Sequence, residues 1–121
     1  MANLKILVVD DAAFIRDMVR KTLRTRFPSF SVEEAINGRK AQQILSRENF
    51  DLILCDWEMP EMSGIELLIW LRKEQKQTTP FVMVTSRGDK DNVVEAVQAG
   101  VTDYIGKPFS REKLLNKVIK V

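Results

Sequence analysis

Short apolar runs recur along this chain, and four of them end in polar residues that can do chemistry. The residues that follow these runs are Asp10 and Asp11, Asp56, Thr85, and Lys107. Runs of this kind are typical of strands buried on both faces, as in a parallel sheet. Ligands of open parallel sheets bind outside the carboxyl ends of the strands. The pattern therefore predicts that three aspartates, a hydroxyl and an amine meet at one edge, as a site for a divalent cation and a phosphoryl group.

Strand and helix patterns alternate to the end of the sequence, with turn or capping signals at Asn37-Gly38, Ser63, Gly100 and Ser110. This alternation predicts an α/β fold of five strand–helix repeats, with a five-stranded parallel sheet and helices on both faces. A chain of 121 residues fits one domain, residues 1–121. Because the sequence stops with the fifth helix, it is either a lone domain or one domain of a longer protein.

Composition excludes several functions. A net charge of +2 is too balanced to indicate nucleic-acid binding, and no apolar run is long enough to cross a membrane. The start leads directly into a strand, so we expect no secretory signal. The single cysteine, Cys55, excludes an intrachain disulfide and fits a buried residue of a cytoplasmic protein. Arg16, Arg20 and Arg24 share one helical face, which predicts a solvated face, with an acidic partner protein as the alternative.

The aspartates are predicted to bind metal. Asp10, Asp11 and Asp56 come from two strand ends, and three carboxylates in one crevice repel each other unless a cation is bound. Oxygen ligands in a chain without histidine suit Mg²⁺. Asp10 and Asp11 alone would also fit the N-cap of the following helix.

The sequence resembles the receiver domain of bacterial two-component response regulators, and most of all the single-domain chemotaxis type. The matching segments are Val8-Val9-Asp10-Asp11, Leu54-Cys55-Asp56-Trp57-Glu58-Met59-Pro60, Gly64, Val84-Thr85-Ser86 and Lys107-Pro108-Phe109. They span nearly the whole chain in the family's order and spacing. The resemblance implies a flavodoxin-like doubly wound fold with strand order 2-1-3-4-5.

The resemblance also implies roles for the site residues. Asp56 would accept a phosphoryl group as an aspartyl phosphate, and Mg²⁺ would be held by Asp10, Asp11, Asp56 and the backbone carbonyl of Glu58. Such a protein is a phosphoacceptor that promotes its own phosphotransfer and slow autodephosphorylation, and it is not an enzyme with a separate substrate.

Further residues would carry the signal. Lys107 and Thr85 would contact the phosphoryl group, and the Tyr104 rotamer would follow Thr85. Lys107-Pro108 would suit a cis peptide bond. The donor would be a histidine kinase or phosphotransfer protein, and the output an unknown protein or a domain missing from this chain.

Two positions differ from the chemotaxis type, which has an amide at the position of Glu58 and an acid at that of Arg87. Since these residues follow Asp56 and Thr85 at equal offsets, we expect an ion pair that tunes the lifetime of the phosphoryl group.

The third helix is almost entirely apolar. Its periodicity predicts that Leu68 and Leu71 face the core while Trp70 points outward with Glu66 and Lys73. An outward tryptophan would suit partner docking or self-association.

Rival functions remain open at this point. A flavodoxin-like binding module would need a phosphate-cradling loop after the first strand, where Asp10 and Asp11 would repel the phosphate. A metal-dependent phosphatase with an aspartyl nucleophile would fit Glu58, but its nucleophile would normally end the first strand. A binding module that is never phosphorylated would not need Asp56 and Lys107.

Overall fold

The computed structural model describes residues 3–86 and 90–121. Within these residues the chain alternates five strands with five helices. The strands are β1 (Lys5–Val9), β2 (Ser31–Ala35), β3 (Leu52–Asp56), β4 (Phe81–Thr85) and β5 (Asp103–Gly106). The helices are α1 (Ala13–Arg26), α2 (Gly38–Leu45), α3 (Gly64–Lys73), α4 (Lys90–Ala99) and α5 (Arg111–Lys120). This order confirms the predicted strand–helix repeats.

The strands form one parallel sheet in the order β2-β1-β3-β4-β5, which confirms the order that the resemblance implies. β1 lies beside the central strand β3, with Val9 opposite Cys55. On the other side of β3, Asp56 lies opposite Val84 of β4. Because the strands are parallel, all their carboxyl ends lie at one edge of the sheet, which we call the carboxyl edge.

Two apolar clusters cover the two faces of the sheet, as expected when successive side chains of a strand point to opposite faces. Leu7, Val9 and Ile53 face a cluster completed by α2, α3 and α4. Ile6 and Val8 face the other cluster, which α1 and α5 complete. Cys55 is buried and free, as predicted. We call these two clusters together the apolar interior.

Capping residues fix where several helices begin and end. Ser63 and Glu66 form a complete capping box at the start of α3, and the Ser110 side chain accepts from the backbone N–H of Lys113 at the start of α5. Gly100 follows α4 with a φ of 95°, a conformation that glycine adopts without steric cost. These predicted helix ends are confirmed. The N-cap of α1 is Ala12, so the N-cap interpretation of Asp10 and Asp11 is wrong.

The arginine face of α1 is partly occupied by the protein itself. The Arg16 side chain is only 14% exposed and its Nε lies 3.1 Å from Glu34 Oε1 on β2. Arg20 also pairs with Glu34, at 3.4 Å, whereas Arg24 is exposed. The prediction of a solvated face is therefore wrong for Arg16, because β2 places a carboxylate beside it that helical periodicity does not reveal.

Helix α3 follows its predicted periodicity, with Trp70 partly buried. Leu68 and Leu71 are fully buried, as expected, but Trp70 is half-buried and packs against the core cluster. It lines an open groove of about 350 Å³ between α2 and α3, together with Gln42 and Met62. Glu66 and Lys73 line the same groove, so Trp70 shares their face of α3 as predicted, although it is less exposed than an outward side chain would be.

None of the helices in residues 3–86 and 90–121 is long and apolar enough to cross a membrane.

Candidate functional site

Three aspartates converge at the carboxyl edge. Asp56 is the last residue of β3 and Asp10 directly follows β1, and since these strands are neighbours, their side chains meet. Asp10 and Asp56 are only 2% and 4% exposed, while Asp11 is exposed. One carboxylate oxygen from each of the three lies within 4.8 Å of the others. The sequence predicted this convergence from the apolar runs alone.

The backbone around Asp10 is held from several sides. Its N–H donates to the carbonyl of Ala35 at 3.2 Å, which extends the β1–β2 pairing by one residue. Its Oδ1 accepts from the N–H of Ala12 at 2.9 Å, and its own carbonyl accepts from Arg16 Nη1 at 2.7 Å. Arg16 thus ties the aspartate loop to Glu34 of β2. No spacing signal in the sequence relates Arg16 to a residue on another strand, so this role was not predicted.

Lys107 follows β5 and its ammonium lies between the two buried aspartates. Its Nζ is 3.1 Å from Asp56 Oδ1 and 3.2 Å from Asp10 Oδ2. The peptide bond between Lys107 and Pro108 is cis, as the resemblance suggested. The lysine predicted from a third strand end is therefore in contact with both aspartates.

Burial and charge shift the protonation of this group of residues. Burial first, and the nearby charge of Asp10 second, raise the pKa of Asp56 to about 6, although Lys107 opposes the rise. Burial by itself lowers the pKa of Lys107, but its hydrogen bond with Asp56 and the charge of Asp10 outweigh that effect and raise it. The two carboxylates therefore share one positive side chain, and a further cation would relieve their repulsion.

The donor set fits Mg²⁺. All three groups are carboxylates, one of them is open to solvent, and a hard cation that keeps several waters needs only a few such oxygens. The backbone carbonyl of Glu58 stays a predicted fourth ligand.

Two hydroxyls at the end of β4 contact Glu58. Thr85 Oγ1 donates to Glu58 Oε1 at 3.1 Å, and Ser86 Oγ donates to Glu58 Oε2 at 3.1 Å. Thr85 is 3% exposed and Ser86 is exposed. Glu58 therefore spans from the loop after β3 to the end of β4. Arg87, the expected partner of Glu58, lies outside the described residues.

Tyr104 lies on β5, where it pairs in register with Met83 of β4. The residue is 37% exposed, so it reaches the surface of the protein. The predicted switch residues Thr85 and Tyr104 are thus on adjacent strands, one buried and the other exposed.

Gly64 shapes the loop between Asp56 and α3. Its N–H donates to the carbonyl of Trp57 at 2.8 Å, and a Cβ at this position would lie 2.3 Å from the carbonyl oxygen of Asp56. Because that oxygen belongs to backbone, a side chain here would displace the aspartate. Glycine at position 64 therefore allows α3 to begin directly against the site.

Comparison with known proteins gives one consistent family. The model of the response regulator receiver domain matches residues 6–119. The chain is 41% identical to a chemotaxis protein CheY homolog of Campylobacter jejuni, over 95% of this chain and 89% of that protein. It is also 41% identical to the transcriptional regulatory protein SrrA of Staphylococcus aureus, over 98% of this chain and 47% of that protein. The crystal structure of Vibrio cholerae CheY4 at low pH superposes with a TM-score of 0.91 and 35% identity, covering 99% of both chains.

Proposed function

The chain belongs to the family of response regulator receiver domains, and from that premise we propose that Asp56 accepts a phosphoryl group in a Mg²⁺-dependent reaction. The observation that carries the proposal is the position of Asp56, buried at the end of the central strand with Asp10, Asp11 and Lys107 around it. Residues 1–121 would act as one receiver domain of a cytoplasmic signalling system. The phosphoryl donor would be the phosphohistidine of a kinase or of a phosphotransfer protein.

The proposed reaction is a direct transfer to the carboxylate. An Asp56 oxygen forms a bond to phosphorus while the bond between phosphorus and the histidine nitrogen breaks, and that nitrogen leaves with the electron pair. Phosphoryl transfer depends mainly on positioning and on neutralising charge at the phosphoryl oxygens. Lys107 already lies 3.1 Å from Asp56 Oδ1 and can follow the negative charge onto the phosphoryl group as a mobile cation.

Mg²⁺ held by Asp10, Asp11, Asp56 and the carbonyl of Glu58 would supply the rest of the neutralising charge. The chain's own part is to hold these oxygens together before the donor arrives. Arg16 contributes by bonding the carbonyl of Asp10, and the carboxylates themselves are fixed by the adjacent β1 and β3.

The signal would leave the site through Thr85. A phosphoryl group on Asp56 would draw the Thr85 hydroxyl toward it, and the space vacated at the end of β4 would let the Tyr104 ring move inward from its surface position. The altered surface would then change affinity for an output protein or for a further domain. A phosphatase acting on separate substrates and a flavin-binding module are both less consistent with membership of a family of phosphoacceptors.

Intact-mass spectrometry after incubation with acetyl phosphate tests the proposal. We expect a gain of one phosphoryl group that requires Mg²⁺ and is lost in Asp56→Asn. Asp91→Asn, which alters an exposed aspartate of α4, is the matched control and should still gain the group. Equal phosphorylation of Asp56→Asn and the parent protein would overturn the assignment.

A further inference from the structure

The Glu58 carboxylate bridges two consecutive hydroxyls at the end of β4. One oxygen accepts from Thr85 and the other from Ser86, each at 3.1 Å. Thr85 is almost fully buried, whereas Ser86 is exposed, so the bridge runs from the interior of the site to its mouth. The expected partner of the Glu58 side chain was a cation, so its contact with these two hydroxyls was not predicted.

A hydroxyl has a single proton to donate. While Thr85 donates it to Glu58, the same proton cannot be donated to a phosphoryl oxygen on Asp56. The phosphoryl group and the Glu58 carboxylate are also both negative, so they disfavour close approach. The contact between Glu58 and Thr85 and a contact between the phosphoryl group and Thr85 therefore exclude each other.

We propose that Glu58 is a positioning residue that holds Thr85 and Ser86 in the unphosphorylated protein and must release both hydroxyls when a phosphoryl group occupies Asp56. This inference rests on the proposed function and adds a regulatory step to the same site. Glu58 competes with the phosphoryl group for one donor, so it raises the population of the resting conformation. Its removal favours the phosphoryl-bound conformation.

The competing explanation is simple charge repulsion between Glu58 and the phosphoryl group, and a double-mutant cycle separates the two. Affinity for beryllofluoride, a phosphoryl mimic, is measured at saturating Mg²⁺ by the fluorescence of the adjacent Trp57. The single change Glu58→Ala is compared in the parent protein and in a Thr85→Val, Ser86→Ala background. Glu61→Gln, three residues further along the same loop, controls for the loss of one exposed negative charge.

We expect Glu58→Ala to bind beryllofluoride about tenfold more tightly in the parent protein, since hydrogen bonds to a charged group contribute on this scale. In the background that lacks both hydroxyls, Glu58→Ala should increase the affinity for beryllofluoride less than about twofold, because the effects of mutating residues in contact are not additive. Glu61→Gln should bind like the parent. The gain from Glu58→Ala should also survive an increase in salt, which screens repulsion between exposed charges.

An equal gain in both backgrounds, or no gain in the parent, would overturn the inference while leaving the proposed function intact. A parent protein that neither binds beryllofluoride nor accepts phosphoryl from acetyl phosphate would instead overturn the proposed function, and this inference with it. If Thr85→Val fails to fold, Ser86→Ala alone still tests the bridge. In that variant the gain from Glu58→Ala should be smaller than in the parent, and an undiminished gain with strong salt dependence would refute the bridge.

Discussion

The apolar interior and the two buried aspartates of the carboxyl edge are similarly inaccessible to solvent, but their burial has opposite effects on stability. Leu7 and Ile53, in the middle of β1 and β3, are fully buried and apolar. Asp10 and Asp56, at the ends of the same strands, are almost as inaccessible and carry charge. Burying apolar surface favours folding, whereas burying carboxylates opposes it unless they are paired. The interior therefore stabilises the fold, whereas at the edge two buried carboxylates share the single ammonium of Lys107, which leaves part of their repulsion uncompensated.

The largest effect is expected where the interior is truncated. Leu68 of α3 is fully buried, so Leu68→Ala should lower the free energy of unfolding by about 2–5 kcal/mol, through lost apolar contact and a cavity. The adjacent Ile69 is 38% exposed and provides the matched control, with a loss for Ile69→Ala of less than about 1 kcal/mol. Urea unfolding followed by circular dichroism measures both. Equal losses for the two variants would break the comparison.

At the carboxyl edge, replacing a buried carboxylate by a neutral side chain should raise the free energy of unfolding, the opposite of truncating the interior. Because the pKa of Asp56 is raised to about 6 in the folded protein, the folded state holds this proton more tightly than the unfolded chain does. Without Mg²⁺, protonation of Asp56 therefore contributes to the free energy of unfolding at low pH, and this contribution is lost as the pH rises from about 4 through about 6. Asp56→Asn should remove this loss and raise the free energy of unfolding at neutral pH by about 1–3 kcal/mol.

Urea unfolding at a series of pH values, without divalent cations, tests this sign. Asp11→Asn is the control at the same edge, and its effect should be smaller because Asp11 is exposed. If Asp56→Asn is less stable than the parent at neutral pH, the Asp56 carboxylate stabilises the fold. The proposed difference between the carboxyl edge and the apolar interior would then be wrong.

A smaller effect on the free energy of unfolding is expected for Ser110, a polar residue of the edge that stabilises the fold, unlike the buried carboxylates. Ser110 also lies near the carboxyl edge, but its side chain caps α5 by accepting from the N–H of Lys113 at 3.1 Å. Ser110→Ala should therefore lower the free energy of unfolding by about 1 kcal/mol, and Ser110→Asp should restore most of it. Thermal unfolding of the three proteins provides the measurement. Such a result would show that a polar group at this edge stabilises the fold where it accepts a hydrogen bond from the first turn of a helix. An unchanged free energy of unfolding in Ser110→Ala would contradict this.

The sequence predicted the features that depend on local pattern. Apolar runs located β1, β3 and β4, Ser63 and Gly100 marked helix ends, and the residues after the runs identified Asp10, Asp56 and Lys107 as neighbours. These signals are reliable because parallel strands bring their carboxyl ends to one edge regardless of the details of packing.

Features that depend on the orientation of a side chain toward a distant element were not predictable. Arg16 meets Glu34 across 18 residues of sequence, and Glu58 meets the β4 hydroxyls across 27 and 28 residues. The partial burial of Trp70 in a groove shared with Gln42 of α2 was likewise not predicted. In each case several rotamers are open to a long or bulky side chain, and the neighbouring element selects one of them.

The central claim is that Asp56 is the residue that receives the phosphoryl group, and locating the modified residue tests it most directly. The protein is treated with acetyl phosphate and Mg²⁺, reduced with borohydride, which converts an aspartyl phosphate into homoserine, and mapped by peptide mass spectrometry. We predict homoserine at position 56, dependent on Mg²⁺ and absent from Asp56→Asn. Homoserine at position 10 or 11, or a phosphoryl group retained on a hydroxyl such as Ser86, would contradict the account.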